Sequence, residues 1–300
     1  MTGTEIIEFL SGNVGDITTA VGAVAGSLIT AIFLRNNTSI KEFEKIKAGR
    51  FDEVTEELLK TGKMTYTEFY KAKNFLSVAK KADKYSNKVQ FDSVNTYDFD
   101  WFIRFYENVG NISNDEMQEI WAKILAGEIN KPHSFSLRTI EVLKNMGKEE
   151  AELFTKICKC CFSSYNSLFL PFYKGYMESK GITYSMIMYM SEQGLMYNDG
   201  TLVMRIPINK ENNVLLINEN LLLTARSEDE KIKEIKIKQF PLTVVGRELA
   251  SLIGGMPGEE DFLSFAKEIK PPRGVVLEMH RIQAVCGDEI SFDESNLLLE

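Results

Sequence analysis

The spacing of hydrophobic residues predicts helices in the first half of the chain. Ser113 precedes Glu116 by three residues, an arrangement that predicts a capping box at a helix start. Pro132 ends this helix, Ser136 is placed to cap the next one, and a third is expected to begin near Lys148. The first helix has a hydrophobic face at positions i, i+3, i+4, i+7 and i+8, formed by Met117, Ile120, Trp121, Ile124 and Leu125.

The second half alternates hydrophobic and polar residues, as strands do. Three segments follow this pattern: TLVMRIPI, NVLLINENLLL and KIKEIKIKQFPL. A short helix before them is expected to end at Gly194 in a left-handed cap, and LTVVGRELASLI predicts a helix after them. This order is typical of a winged helix. The predicted fold class is therefore mainly α with a C-terminal winged-helix-like α/β part. The strand that starts near Val275 is expected at the edge of the same small sheet, with His280 at its surface.

Residues 17–34, ITTAVGAVAGSLITAIFL, contain no charged side chain. As a helix they would extend about 27 Å, slightly less than the roughly 30 Å hydrocarbon core of a bilayer. Two interpretations follow, a membrane segment or an Ala- and Gly-rich helix buried in protein. Lys and Arg follow the segment but do not precede it, so insertion would leave the rest of the chain on the cytoplasmic side of the membrane.

The same segment has small residues at every fourth position, which form one stripe along a helix. In a membrane such a stripe lets two helices approach closely and self-associate. We therefore expect a homo-oligomer that contacts itself through Thr18, Gly22, Gly26 and Thr30.

Composition and pattern together divide the chain into five parts. The stretch after the apolar segment is basic, with thirteen Lys or Arg and eight Asp or Glu between Arg35 and Lys88. The predicted parts are an apolar Gly/Ala-rich helix (1–35), a basic helical connector (36–90), a helical bundle (98–165), a winged-helix-like α/β domain (166–290) and an acidic tail (291–300).

The overall charge argues against a general polyanion-binding protein. The net charge is −8, and the helix from Thr183 to Gln193, which would enter a DNA groove in a winged helix, has no Lys or Arg and contains Glu192. Nucleic acid is therefore a less favoured partner than protein. Four lysines around the last predicted strand remain candidates for polyanion contact: Lys231, Lys233, Lys236 and Lys238.

No motif for catalysis, cofactor binding or metal binding stands out, and a non-enzymatic role is favoured. The cysteines, in CKCC at 158–161 and at Cys286, lack zinc-site spacing and are interpreted as reduced thiols. Glu116, Glu119 and Glu128 lie in one predicted helix. An ion pair between Glu128 and Arg138 that holds two helices together is favoured over an acid/base or metal site.

The signature at 98–146 resembles a bacterial family known as domain of unknown function 2806. The resemblance rests on two short stretches and several single residues: WAKILAGEI at 121–129, SFSLRT at 134–139, Asp100, Trp101, Arg104, Phe105, Glu116, Met117 and Gln118. Where the family has Pro-Gly before SFS, this chain has Pro132-His133. The resemblance implies a family without an assigned activity, so no catalytic residue can be transferred.

Two functions are expected from this organisation. The first is a non-enzymatic membrane-associated effector or sensor of a bacterial cell, in which cytosolic domains control self-association of the apolar helix. Abortive-infection defence against phage is a role that suits this arrangement. The alternative is a soluble winged-helix adaptor that binds protein or nucleic acid.

Overall fold

Contacts divide the chain into two units, Met1–Asn145 and Met146–Glu300. The predicted bundle extended to residue 165, whereas the helix that begins at Lys148 groups with the second unit. The structure is a computed structural model. It describes residues 56, 59–62, 64–85, 98–164, 167–199, 202–211, 213–217, 220–254, 257–286 and 289–298.

The first unit is helical where it is described. Its hydrophobic core includes Phe75, Trp101, Phe105 and Trp121, whose side chains are at most 2% exposed. The Trp101 and Phe105 rings stack with centroids 5.1 Å apart, and Phe105 meets Trp121 edge to face at 5.3 Å. The helices are α1 (Tyr66–Ala82), α2 (Phe99–Val109), α3 (Asp115–Asn130) and α4 (Leu137–Asn145).

The start of α3 differs from the predicted capping box. Asn114, not Ser113, is the N-cap, and its side-chain oxygen accepts a hydrogen bond from the backbone N–H of Met117 at 2.9 Å. Asn and Ser both cap well, so the sequence pattern could not decide between neighbours. The predicted cap of α4 is confirmed, because Ser136 Oγ accepts from the Thr139 N–H at 3.3 Å.

The second unit combines helices and strands, and a predicted helix, α5, opens it. The helix predicted to end at Gly194 is confirmed as α7, with Gly194 at φ 74°. The elements are α5 (Lys148–Cys158), β1 (Phe162–Ser164), β2 (Ser167–Pro171), α6 (Lys174–Ser179), α7 (Tyr184–Glu192), β3 (Val203–Pro207), β4 (Asn213–Ile217), β5 (Leu221–Ser227), β6 (Glu234–Pro241), α8 (Val244–Ala250), α9 (Glu259–Glu268), β7 (Val275–Cys286) and β8 (Glu289–Phe292).

The strands form two antiparallel sheets of four, in the orders β1-β2-β6-β3 and β4-β5-β7-β8. The fold is therefore mixed α/β, with more sheet than the sequence predicts. The segment NVLLINENLLL contains two strands, β4 and β5. The prediction that β7 is an edge strand of the small sheet was wrong, because β7 lies inside the second sheet between β5 and β8. β5 is buried along nearly its whole length, as expected for a strand paired on both sides.

His280 is buried, contrary to the surface position expected for it. Its side chain is 3% exposed, and its Nδ1 lies 2.9 Å from the carbonyl oxygen of Ser295. The segment that follows β8 runs back along β7, where the Leu297 N–H donates to the Met279 carbonyl at 2.8 Å. This segment supplies a cover for His280 that strand alternation alone cannot reveal.

The predicted self-association residues, Thr18, Gly22, Gly26 and Thr30, lie outside the described residues. Within the part that is described, no helix has both the length and the apolar character needed to cross a membrane.

Candidate functional site

A basic and aromatic surface lies on the second unit, where α7 meets the hairpin of β3 and β6. We call it the helix–hairpin surface and define it by Tyr184, Arg205, Lys236 and Lys238. All four side chains are exposed. Two of them, Lys236 and Lys238, were predicted polyanion contacts.

The packing of α7 turns Tyr184 outwards. Thr183 caps the helix by accepting from the Met186 N–H, while Ile187 and Met190 are fully buried beneath it. Tyr184 is 49% exposed, and its hydroxyl donates to the Asn198 carbonyl at 3.3 Å. A half-exposed tyrosine whose hydroxyl is anchored is a preorganised contact residue, because little rotamer entropy remains to be lost on binding.

Tyr184 is linked to the basic residues through the buried Phe240 of β6. The Tyr184 ring lies 6.0 Å from the ring of Phe240, and residues two apart on a strand share a face. Phe240, Lys238 and Lys236 therefore follow one another along one face of β6. Arg205 on β3 is the direct register partner of Lys236, which extends the basic face across the hairpin.

One carboxylate partly neutralises this face. Glu234 pairs with Arg205 and lies 3.5 Å from the Lys236 amine. Lys238 has no ion pair within the described residues, and its register partner is the uncharged Val203. The hairpin therefore carries three positive charges and one negative charge. Its surface is basic, although the chain as a whole is acidic.

The other two predicted lysines belong to the segment that leads into β6. Lys231 and Lys233 are exposed, and the Lys231 backbone N–H donates to Asp229. Sequence reasoning found the lysines of β6 but missed Arg205 and Tyr184. The alternating residues of VMRIP, at 203–207, could have indicated that Arg205 is exposed on a strand. Nothing in the sequence alone places Tyr184 next to β6.

Glu128 in the first unit has a different partner from the one predicted. Its carboxylate accepts the backbone N–H groups of His133 at 2.6 Å and Phe135 at 3.0 Å. Arg138 is exposed, and the described residues contain no ion pair between it and Glu128. Burial raises the pKa of Glu128, although the N–H groups of the loop partly oppose this effect. Glu128 therefore fixes the loop between α3 and α4 through its backbone.

Two further contacts hold the same loop in place. The Trp101 indole N–H donates to the Phe135 carbonyl at 2.8 Å. A Cβ added to Gly127 would lie 2.7 Å from the Phe135 ring, so the ring packs where only glycine leaves room. His133 in this loop adopts φ 65°, a left-handed conformation that favours glycine.

Glu119 and Glu128, two of the three carboxylates considered on α3, have separate partners. Glu119 pairs with the Tyr85 hydroxyl and lies 3.8 Å from the Lys84 amine, whereas Glu128 turns to the loop. No cluster of His, Cys, Asp and Glu suited to a metal ion occurs in the described part of the chain. Cys158, Cys160 and Cys161 are free and buried, and burial raises the pKa of each thiol.

The chain matches the model of a protein family described as Protein of unknown function (DUF2806) over residues 62–265, more than half of its length. The chain belongs to the DUF2806 family. A comparison with curated proteins and one with solved structures find no match.

The DUF2806 match runs from just before α1 into α9. It includes the loop held by Glu128 and the helix–hairpin surface, while β7 and β8 lie beyond it. Six of the residues that carry the resemblance at 98–146 pack or fix this loop: Trp101, Phe105, Trp121, Gly127, Glu128 and Phe135. In this chain these residues stabilise the loop between α3 and α4.

Proposed function

We propose that this DUF2806 protein is a non-enzymatic, membrane-associated effector or sensor of a bacterial cell. Its second unit is a winged-helix-type module that binds an acidic segment of a protein partner, and residues 17–34 are its membrane segment. The observation that carries the binding half is the helix–hairpin surface, which combines an anchored tyrosine with three basic side chains.

The winged-helix part of the proposal is supported by element order and strand order. α5, β2, α6, α7, β3 and β6 follow one another along the chain, and β6 lies between β2 and β3 in the sheet. A winged helix has this order of three helices and three strands, with the hairpin as its wing. Here the connection from β3 to β6 is enlarged, since it contains β4 and β5 of the other sheet.

An acidic protein segment fits the surface better than a DNA duplex. Tyrosine and arginine are the residues most enriched at the energetic centres of protein interfaces, and basic residues steer acidic partners. A duplex would require Lys or Arg on α7, which has none and ends in Glu192.

The binding half is tested by selecting peptides from a random display library on the purified full chain. We expect enriched peptides to be acidic. Lys236→Glu combined with Lys238→Glu should weaken them at least about tenfold, because like charges then face each other. Lys174→Glu with Lys270→Glu makes the same charge change at exposed positions outside the surface and should leave affinity unchanged.

Three outcomes would contradict this half of the proposal. The first is the enrichment of peptides without negative charge, and the second is an equal loss of peptide affinity in both double variants. The third is tighter binding to labelled single-stranded or duplex DNA than to any selected peptide, with the steep salt dependence of phosphate contacts.

The effector half rests on the sequence of residues 17–34, which are uncharged and have small residues at every fourth position. In this proposal the cytosolic units control self-association of that segment, and membrane permeabilisation in abortive-infection defence is the role it would serve. The second candidate function is a soluble winged-helix adaptor, in which the same segment packs against protein. Membrane fractionation distinguishes the two.

A further inference from the structure

A cavity of about 510 Å³ opens on the second unit, away from the helix–hairpin surface, between α9 and the sheet face of β5 and β7. This volume is in the range of small-molecule sites. Its partly exposed apolar residues are Leu263 of α9 and Leu297 of the segment after β8, whereas Leu221 and Met279, which also line it, are only 1% and 0% exposed.

One wall of this cavity is held in place by hydrogen bonds. The Leu297 N–H donates to the Met279 carbonyl at 2.8 Å, and the Asn296 side chain accepts from the Met279 N–H at 3.1 Å. Because the backbone around Leu297 is fixed to β7, the apolar wall exists before any ligand binds.

Charges at the rim of the cavity fall into two groups. Arg281 donates to both carboxylate oxygens of Glu259, at 2.8 and 2.7 Å, so these two charges neutralise each other. Glu260 and Lys267 also line the cavity, and within the described residues neither forms an ion pair. They lie seven residues apart on α9, about 10.5 Å along the helix, with Leu263 between them on the same stripe.

We propose that this cavity binds a short apolar peptide of about three residues, as a zwitterion in extended form. Three extended residues span about 10 Å, which is close to the rise of α9 between Glu260 and Lys267. The ammonium group of the peptide meets Glu260, its carboxylate meets Lys267, and its side chains lie against Leu263 and Leu297. The site lies outside the helix–hairpin surface and stands whether or not that surface binds a partner.

The test uses trileucine and isothermal titration calorimetry with the purified full chain. N-acetyl-trileucine lacks the ammonium group, and trileucine amide lacks the carboxylate. Glu260→Gln should weaken trileucine about three- to fivefold, the size of an exposed ion pair, and leave N-acetyl-trileucine unchanged. Lys267→Met should weaken trileucine similarly and leave the amide unchanged.

A filling variant separates this cavity from a generally sticky surface. Leu263→Trp keeps the position apolar but occupies the space, so it should reduce the affinity for all three peptides more than tenfold. Lys270→Met, at an exposed position outside the cavity, should change nothing. Circular dichroism of each variant checks that it is folded.

The proposal is overturned if trileucine does not bind at millimolar concentration, or if folded Leu263→Trp binds it as tightly as the unchanged chain. It is also overturned if Glu260→Gln weakens trileucine and N-acetyl-trileucine equally. None of these results bears on the helix–hairpin surface, which the display selection tests separately.

Discussion

His133 has a backbone conformation that its side chain disfavours. Among the described residues it is the single non-glycine residue with positive φ, at 65°. The left-handed region brings Cβ close to the backbone and costs roughly 1–2 kcal/mol for most residues. The resemblance to DUF2806 had pointed to Pro-Gly where this chain has Pro132-His133, and the structure gives the physical reason for a glycine there.

His133→Gly should therefore raise the free energy of unfolding by about 1 kcal/mol, since relief of the strain exceeds the added entropy of the unfolded chain. His133→Ala removes the imidazole but keeps Cβ, and it should give no such gain. Urea denaturation of the full chain measures both variants. Equal stability of the two would mean that φ at this position stores no strain.

Glu128 contributes to stability through two backbone N–H groups rather than through an ion pair. Glu128→Gln replaces one accepting oxygen with an NH₂ group, so one N–H of His133 or Phe135 loses its acceptor in a buried place. We expect a loss of about 1–3 kcal/mol in the free energy of unfolding.

Arg138→Ala is the matched control for Glu128→Gln and should change stability by less than about 0.5 kcal/mol, because Arg138 is exposed. If Glu128 depended on Arg138, the control would instead leave a buried charge unpaired and cost about 3–5 kcal/mol. Thermal or urea unfolding of the two variants side by side distinguishes these cases.

At the scale of elements, the contact between α3 and the loop before α4 depends on Gly127. Gly127→Ala would normally favour a helix by up to about 1 kcal/mol. Here the new Cβ would meet the Phe135 ring at 2.7 Å, and that ring is only 4% exposed. We expect a net loss of about 1–3 kcal/mol in unfolding free energy, the usual cost of overpacking.

Gly254→Ala serves as the control for this contact, because an added Cβ there meets no atom within 4 Å. It should leave stability within about 1 kcal/mol of the unchanged chain. A Gly127→Ala variant as stable as Gly254→Ala would show that Phe135 can move aside without cost.

Local periodicity predicted the helices well, as α3, α4, α5 and α7 illustrate. Each has a hydrophobic stripe and a recognisable start or stop, which are properties of neighbouring residues. Strand pairing depends on residues far apart in sequence. The position of β7 beside β5, with Leu222 opposite His280, could therefore not be obtained from alternation alone.

The candidate site shows the same difference between local sequence patterns and long-range pairing. Lys236 and Lys238 could be predicted, since they alternate with buried isoleucines on one strand. Arg205 joins them only through the register of β3 with β6, and Tyr184 only through the packing of its ring near Phe240. The partner of Glu128 was missed because a charged neighbour in sequence is easily seen, whereas backbone N–H groups of a loop are not.

At the scale of the whole molecule, the proposed effector combines a folded module with a sequence segment. In that proposal the second unit binds an acidic partner through its basic, aromatic surface, and residues 17–34 are an uncharged segment with a stripe of small residues. An effector needs both, because partner binding must be coupled to the state of the membrane segment. A soluble adaptor needs only the first.

Carbonate-resistant membrane fractionation of the full chain beside a variant that lacks residues 17–34 tests whether this segment anchors the protein. The full chain should stay in the membrane fraction, and the shortened chain should be released. Release of both chains would contradict the effector proposal and favour the soluble adaptor. Retention of both would show that another part of the chain holds it at the membrane, which contradicts the role given to residues 17–34.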